Sequence, residues 1–82
     1  MIILGIDPGT ARMGYGVVEV GKGDKVNLLE SNVLTTRPDT TPENRLKYLF
    51  NCLTSIIKKH NPDVMVIERL FFNTNAKILS IT

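Results

Sequence analysis

Two short runs in this sequence carry no polar side chain and then stop on an acid. The first is Ile2-Ile3-Leu4-Gly5-Ile6, closed by Asp7. The second is Val64-Met65-Val66-Ile67, closed by Glu68. A strand with one wet face alternates apolar and polar residues, whereas a strand apolar on both faces is central and covered on both sides. Two such strands in a short chain point to an α/β sheet. They also raise a chemical question, because a carboxylate at the end of a buried strand is rarely left without a partner.

The residues between the runs say how they are joined. Gly14–Val20 reads as a second strand, and the link Pro8–Met13 is short enough for an antiparallel return. Gly21-Lys22-Gly23-Asp24 is a turn signal. A third strand follows from about Lys25 to Thr36, polar at Asn27, Glu30, Ser31 and Asn32, which suits an edge. The first half is therefore a three-stranded antiparallel meander. A loop, Arg37–Pro42, leads into a helix. Thr41 can cap it with Pro42 at the first position, or Thr40 and Glu43 can form a capping box. Leu46, Leu49, Phe50, Leu53 and Ile57 make one apolar stripe at helical spacing, and Cys52 borders it. Lys58, Lys59 and His60 suit the negative end of the helix dipole, and Asn61-Pro62 ends the element.

Asp63–Arg69 is the fourth strand. Reached through a helix, it lies most simply parallel to the first strand and beside it. Leu70–Asn75 reads as a loop, with Asn73 or Thr74 capping a second helix that begins near Ala76. On this reading nothing covers the far edge of strand four. An exposed apolar edge invites pairing, so the chain is expected to be the first part of a larger domain and to self-associate or exchange elements.

Composition narrows the setting. At 82 residues the expectation is one small domain, and 43% hydrophobic with 22% charged residues is globular usage. A net charge of +2 neither argues for nucleic acid nor excludes it. Cys52 is the single cysteine, so no internal disulfide forms. Asp7 and Pro8 interrupt the N-terminal apolar run too early for a signal peptide, and no stretch has the length of a membrane span. A soluble cytoplasmic chain is expected.

With strands one and four parallel neighbours, Asp7 and Glu68 both lie at carboxyl-terminal strand ends, where open α/β sheets bind ligands. Adjacent strands are about 4.8 Å apart, so the two side chains can converge. Two carboxylates so close repel unless a cation lies between them. Mg²⁺ is a natural choice, since it accepts one or two carboxylates and keeps several waters, and a pair of such ions can clamp the attacking and leaving oxygens of a phosphodiester. Other readings stand beside this one. Asp7 before Pro8-Gly9 can be a turn former, and Glu68 can pair with Arg12 or Arg69. Phe71 and Phe72 can stack on or wedge between bases, or fill the core or an oligomer contact. Arg69, Lys77 and Arg12 can reach phosphates or be solvated charges. His60 has no His or Cys at ligand spacing, and Tyr15 faces core or site.

These residues together resemble the RuvC family of Holliday junction resolvases. The likeness rests on Ile3-Leu4-Gly5-Ile6-Asp7-Pro8-Gly9-Thr10 with Gly14-Tyr15-Gly16-Val17, and on Ile67-Glu68-Arg69-Leu70-Phe71-Phe72-Asn73-Thr74-Asn75-Ala76-Lys77. It spans residues 2 to 77. It implies an RNase H-like fold, a mixed five-stranded sheet flanked by helices, in a dimeric Mg²⁺-dependent endonuclease that nicks four-way DNA junctions symmetrically. Two ions are implied, with Mn²⁺ as an alternative. Asp7 matches the first catalytic carboxylate, Glu68 the second, and Phe71 the aromatic that inserts at the junction. Phe72, Arg69, Asn75, Lys77 and Arg12 are the further candidates for DNA contact, and the RuvA–RuvB branch-migration machinery is the implied partner.

Family chains run to about twice this length, within ordinary domain size. Their second half brings a fifth strand, later helices and two more carboxylates. Residues 1–82 are thus expected to be the N-terminal portion of a single RNase H-like nuclease domain, truncated, and feebly active alone. Ile78–Thr82 does not resemble the family's continuation, which is richer in small residues. Three rivals remain at this level. Actin-like ATPases and sugar kinases share a Gly-Ile-Asp-x-Gly-Thr turn but do not require Glu68 with Leu70-Phe71-Phe72. Another RNase H-like nuclease would act on RNA. A dimerising or inhibitory fragment would need no acid chemistry at all.

Overall fold

The computed structural model describes residues 1–9, 12–68 and 76–80, the last by backbone course. Five strands and one long helix follow in order: β1 Ile2–Asp7, β2 Arg12–Val20, β3 Val26–Thr35, α1 Pro42–His60, β4 Val64–Glu68 and β5 Ala76–Ser80. One sheet takes the spatial order β3-β2-β1-β4-β5. β1 to β3 form the antiparallel meander, and β4 lies parallel to β1 with Ile3 beside Val64 and Ile6 beside Ile67. β2 begins at Arg12, two residues before the expected Gly14.

The helix starts as Thr41-Pro42 predicts. The Thr41 hydroxyl accepts from the Asn44 amide at 3.3 Å, so it is Thr41 rather than Thr40 that caps. At the other end Asn61 takes a left-handed conformation (φ 50°), and its N–H donates to the Ile57 carbonyl at 2.8 Å. Pro62, fully buried, follows. Asp63 then fastens the crossover: its carboxylate accepts from the Ile2 amide, and its own amide donates to the Ile2 carbonyl, both at 2.8 Å. This clasp sets β4 in register with β1.

Side-chain alternation divides the sheet. Leu4, Ile6, Met13, Tyr15 and Val17 are buried on one face with Ile56 of α1, and Leu34, Leu49, Leu53, Ile57, Met65 and Ile67 pack against them. The opposite face carries Ile3, Gly5 and Asp7, then Gly14, Gly16 and Val18, then Ser31 and Val33, then Val64, Val66 and Glu68. Full cover was expected for both faces of β1 and β4. Among the described residues only the α1 face is covered, because α1 is the one long helix there; Ile3, Val64 and Val66 are half-buried. The edge position of β3 agrees with its polar sequence, and its apolar Val26, Leu28 and Val33 are exposed.

The segment from Ala76 corrects the sequence reading. A second helix was expected there, but Ala76–Ser80 is a strand, antiparallel to β4 from Glu68/Ala76 to Val64/Ser80. Five residues gain little from helix formation, which must first meet a costly nucleus. Pairing instead satisfies the open N–H and C=O groups of the apolar β4. The far edge of β4 is therefore occupied, and the expectation of self-association through that edge loses its premise. The suggested caps Asn73 and Thr74 lie outside the described residues.

Candidate metal and nucleic-acid site

Strand polarity assembles the site. β1, β3 and β4 all run toward one rim of the sheet, and β2 starts from it. The last registered pair of β1 and β4 is Ile6 with Ile67; one step further, Asp7 stands beside Glu68. Both carboxylates are exposed and share the uncovered face. With Gly5, Gly14, Ser31, Asn32, Val33 and Val66 they line an open hollow of about 630 Å³. The glycines make it a hollow: a Cβ added at Gly14 would sit 3.9 Å from the Cβ of Asp7. The turn after Asp7 is tighter still, since a Cβ on Gly9 would meet the Arg12 carbonyl oxygen at 2.3 Å, where only glycine fits.

Among the described residues, no hydrogen bond or ion pair engages the side chains of Asp7, Glu68 or Arg12. The alternative of a salt bridge from Arg12 to Glu68 is thereby removed; the turn that Asp7 would form runs on through Thr10 and Ala11, which lie outside the described residues. Arg12 is exposed at the start of β2, registered with Thr35. Arg69, Phe71, Phe72 and Asn75 lie outside the described residues, and Lys77 falls in β5 opposite Ile67. No cluster of three or more metal-ligating side chains forms among the described residues. Two carboxylates and an open approach still fit a hydrated divalent cation, which needs no more than that from protein.

Sequence reasoning missed the β3 contribution. Ser31 and Val33 line the hollow, with Asn32 between them, because Gly16 and Gly14, opposite Ser31 and Val33, carry no side chain. The spaced glycines of Gly14-Tyr15-Gly16 were the available signal. It also missed a polar clasp on the covered face. Tyr15 is buried, and its hydroxyl donates to Glu30 Oε2 at 2.5 Å. Glu30 Oε1 takes Lys59 Nζ at 3.0 Å and lies 2.7 Å from His60 Nε2. The hydrogen bond with His60, then those from Tyr15 and Lys59, hold the Glu30 carboxyl down at about 2. The same carboxylate pushes the Tyr15 hydroxyl up to about 12. His60, without a metal-binding partner in sequence, thus fixes the end of α1 to the edge strand.

An antiparallel meander, a crossover helix and a parallel strand, with acids side by side where β1 and β4 end, define an RNase H-like α/β fold. The model of the family "Crossover junction endodeoxyribonuclease RuvC" matches residues 3–81, and the chain belongs to the RuvC family. Over 77 residues, 94% of this chain, it is 51% identical to the enzyme of that name from Desulforamulus reducens and 43% identical to the one from Pelotomaculum thermopropionicum. These stretches are 47% and 46% of the two relatives, so the chain spans about half the length of the curated relatives it matches. Among solved structures, Thermus thermophilus RuvC in complex with Holliday junction substrate superposes with a TM-score of 0.81 at 28% identity, over 92% of this chain and 48% of that one. The Thermus thermophilus RuvC structure gives 0.78 at 32% identity, over 87% and 46%.

Proposed function

We propose that this chain is the N-terminal portion of a metal-dependent endonuclease domain that resolves four-way DNA junctions by paired nicks. The carrying observation is the parallel register that sets Asp7 beside Glu68 over a glycine-lined hollow. Asp7 and Glu68 are the catalytic carboxylates of this reading. Together they hold Mg²⁺, or Mn²⁺, with two ions in the complete domain. Such ions orient water and neutralise the charge that develops on a phosphodiester. The two acids supply negative charge to the cations, and the open face admits a strand of DNA. Phe71 and Phe72 are proposed to meet bases at the junction, and Arg69, Asn75, Lys77 and Arg12 to meet its backbone. A second copy of the chain and the RuvA–RuvB machinery are the proposed partners, in the cytoplasm. Among the described residues, no helix is long and apolar enough to cross a membrane.

Two carboxylates alone make a weak metal site, so the 82-residue chain is expected to cleave feebly beside a full-length relative. A labelled synthetic junction with Mg²⁺ or Mn²⁺ tests this. Asp7→Asn or Glu68→Gln should each abolish whatever cutting is seen. Turnover comparable to a full-length relative would overturn the weak-site reading, and cutting untouched by either substitution would overturn the assignment of the acids.

A further inference from the structure

The rim that carries Asp7 and Glu68 continues past β2 to a second hollow. It is about 270 Å³ and is lined by Thr35, Thr36, Arg37, Thr40 and Tyr48. Thr35 ends β3 and is the registered partner of Arg12, so an exposed arginine starts β2 on the same rim. Nothing in the acid site uses these residues.

The lining is chemically one-sided. Among the described residues it is lined by threonines, a tyrosine and a guanidinium, with the Asp39 carboxylate beside that guanidinium and outside the lining. The threonine methyls and the Tyr48 ring supply apolar walls. Hydroxyls, tyrosine and arginine are the side chains that commonly hold DNA phosphates and sugars. Tyr48 is 45% exposed, leaving ring surface for a partner. Among the described residues the Arg37 guanidinium meets only Asp39, at 3.4 Å, with side chains 85% and 73% exposed. Pairs so open to solvent contribute little, so a phosphate can displace Asp39 at small cost. An acid pair by itself repels a polyanion, and cations on the same rim offset that repulsion.

We propose that the hollow of Thr35, Thr36, Arg37, Thr40 and Tyr48 is a second nucleic-acid contact, seating one sugar–phosphate unit of the strand presented to Asp7 and Glu68. The proposal rests on the nuclease reading above. Two strand spacings separate β1 from β3, about 9.6 Å, so the second contact lies within a few nucleotides of the acids along one strand. Arg12 lies along that path and would meet an intervening phosphate. The contact reads backbone, so it strengthens binding without favouring a base sequence.

The test is binding of a labelled four-way junction to the 82-residue chain, followed by fluorescence anisotropy across a salt series. Arg37→Gln should weaken binding roughly threefold to tenfold and lower the slope of log affinity against log salt by about 0.9, the loss of one phosphate contact. Tyr48→Leu should weaken binding while leaving that slope unchanged. Lys22→Gln, at the far end of the sheet, removes the same charge and should do less than Arg37→Gln. Asp39→Asn releases Arg37 and should tighten binding. Equal effects of Arg37→Gln and Lys22→Gln would overturn the second contact while leaving the nuclease reading intact. Absence of any junction binding by the unaltered chain would overturn both for these residues.

Discussion

At the scale of single residues, Asp7 and Leu4 show how differently two positions on one short strand are used. Leu4 is fully buried against α1, and Leu4→Ala should cost about 2–5 kcal/mol, enough to unfold much of so small a domain. Asp7 is exposed beside Glu68, its side chain without a partner among the described residues. Asp7→Asn removes a repulsion between like charges, so without divalent ions it should leave stability unchanged or raise it slightly in urea titrations. With Mg²⁺ added, the unaltered chain should gain stability and the variant should not. A drop in stability of about 2 kcal/mol for Asp7→Asn without metal would mark the acid as structural instead. Gly9 belongs with Leu4 in cost and with Asp7 in place. Gly9→Ala forces its Cβ into the Arg12 backbone, and should lower the melting temperature and the affinity for Mg²⁺ together.

At the scale of elements, the clasp at Glu30 decides how α1 is held to β3. Glu30 ordinarily titrates at 4.5 and here falls to about 2, so its carboxylate stabilises the fold above pH 4.5. That contribution is lost as pH falls through about 2. Tyr15 gives the opposite sign: its raised value stabilises below pH 10, and the gain disappears as pH rises through about 12. Urea midpoints measured across pH should fall at both ends, and Glu30→Gln should flatten both limbs. Unchanged limbs in that variant would show that the clasp carries no weight. None of this was legible in sequence, where Glu30 is one more polar residue on an edge strand. The pairing shift between Val17 and Val18 changes which residues of β3 face their neighbours, and a sequence pattern does not reveal it. The meander, the caps of α1 and the parallel β4 were legible, because apolar runs, a Thr-Pro start and an Asn-Pro stop each have a local cause. The strand at Ala76–Ser80 was not, because its cause is the unpaired edge of β4 rather than its own residues. The acid pair was readable once β4 was taken as parallel to β1; the β3 wall of the hollow required the register.

At the scale of the whole molecule, the sheet is bare on one side among the described residues. The face with Ile3, Val18, Val33, Val64 and Val66 is apolar and unshielded by a helix, while Val26 and Leu28 extend it to the edge. Small domains bury a modest share of their surface, and one covered face makes that share smaller. The chain is expected to be marginally stable, within a few kcal/mol of unfolding, and to bind a hydrophobic dye such as ANS while still folded. A full-length relative measured alongside should bind less. Equal dye binding by the two would mean that this face is shielded to the same extent in both.

The clasp between Ile2 and Asp63 joins positions 61 residues apart. The hairpin of β1 and β2 needs only near neighbours, whereas parallel pairing with β4 requires the whole of β3 and α1 to be traversed first. Closing so long a loop is entropically costly and delays the pairing. Early in folding, Asp7 is therefore a solitary acid on a hairpin. It acquires Glu68 as a neighbour only when β4 docks. The proposed capacity to hold a cation would arise with that long-range event, so divalent-metal binding followed in time should register the slow closure of the sheet rather than the fast formation of its hairpin.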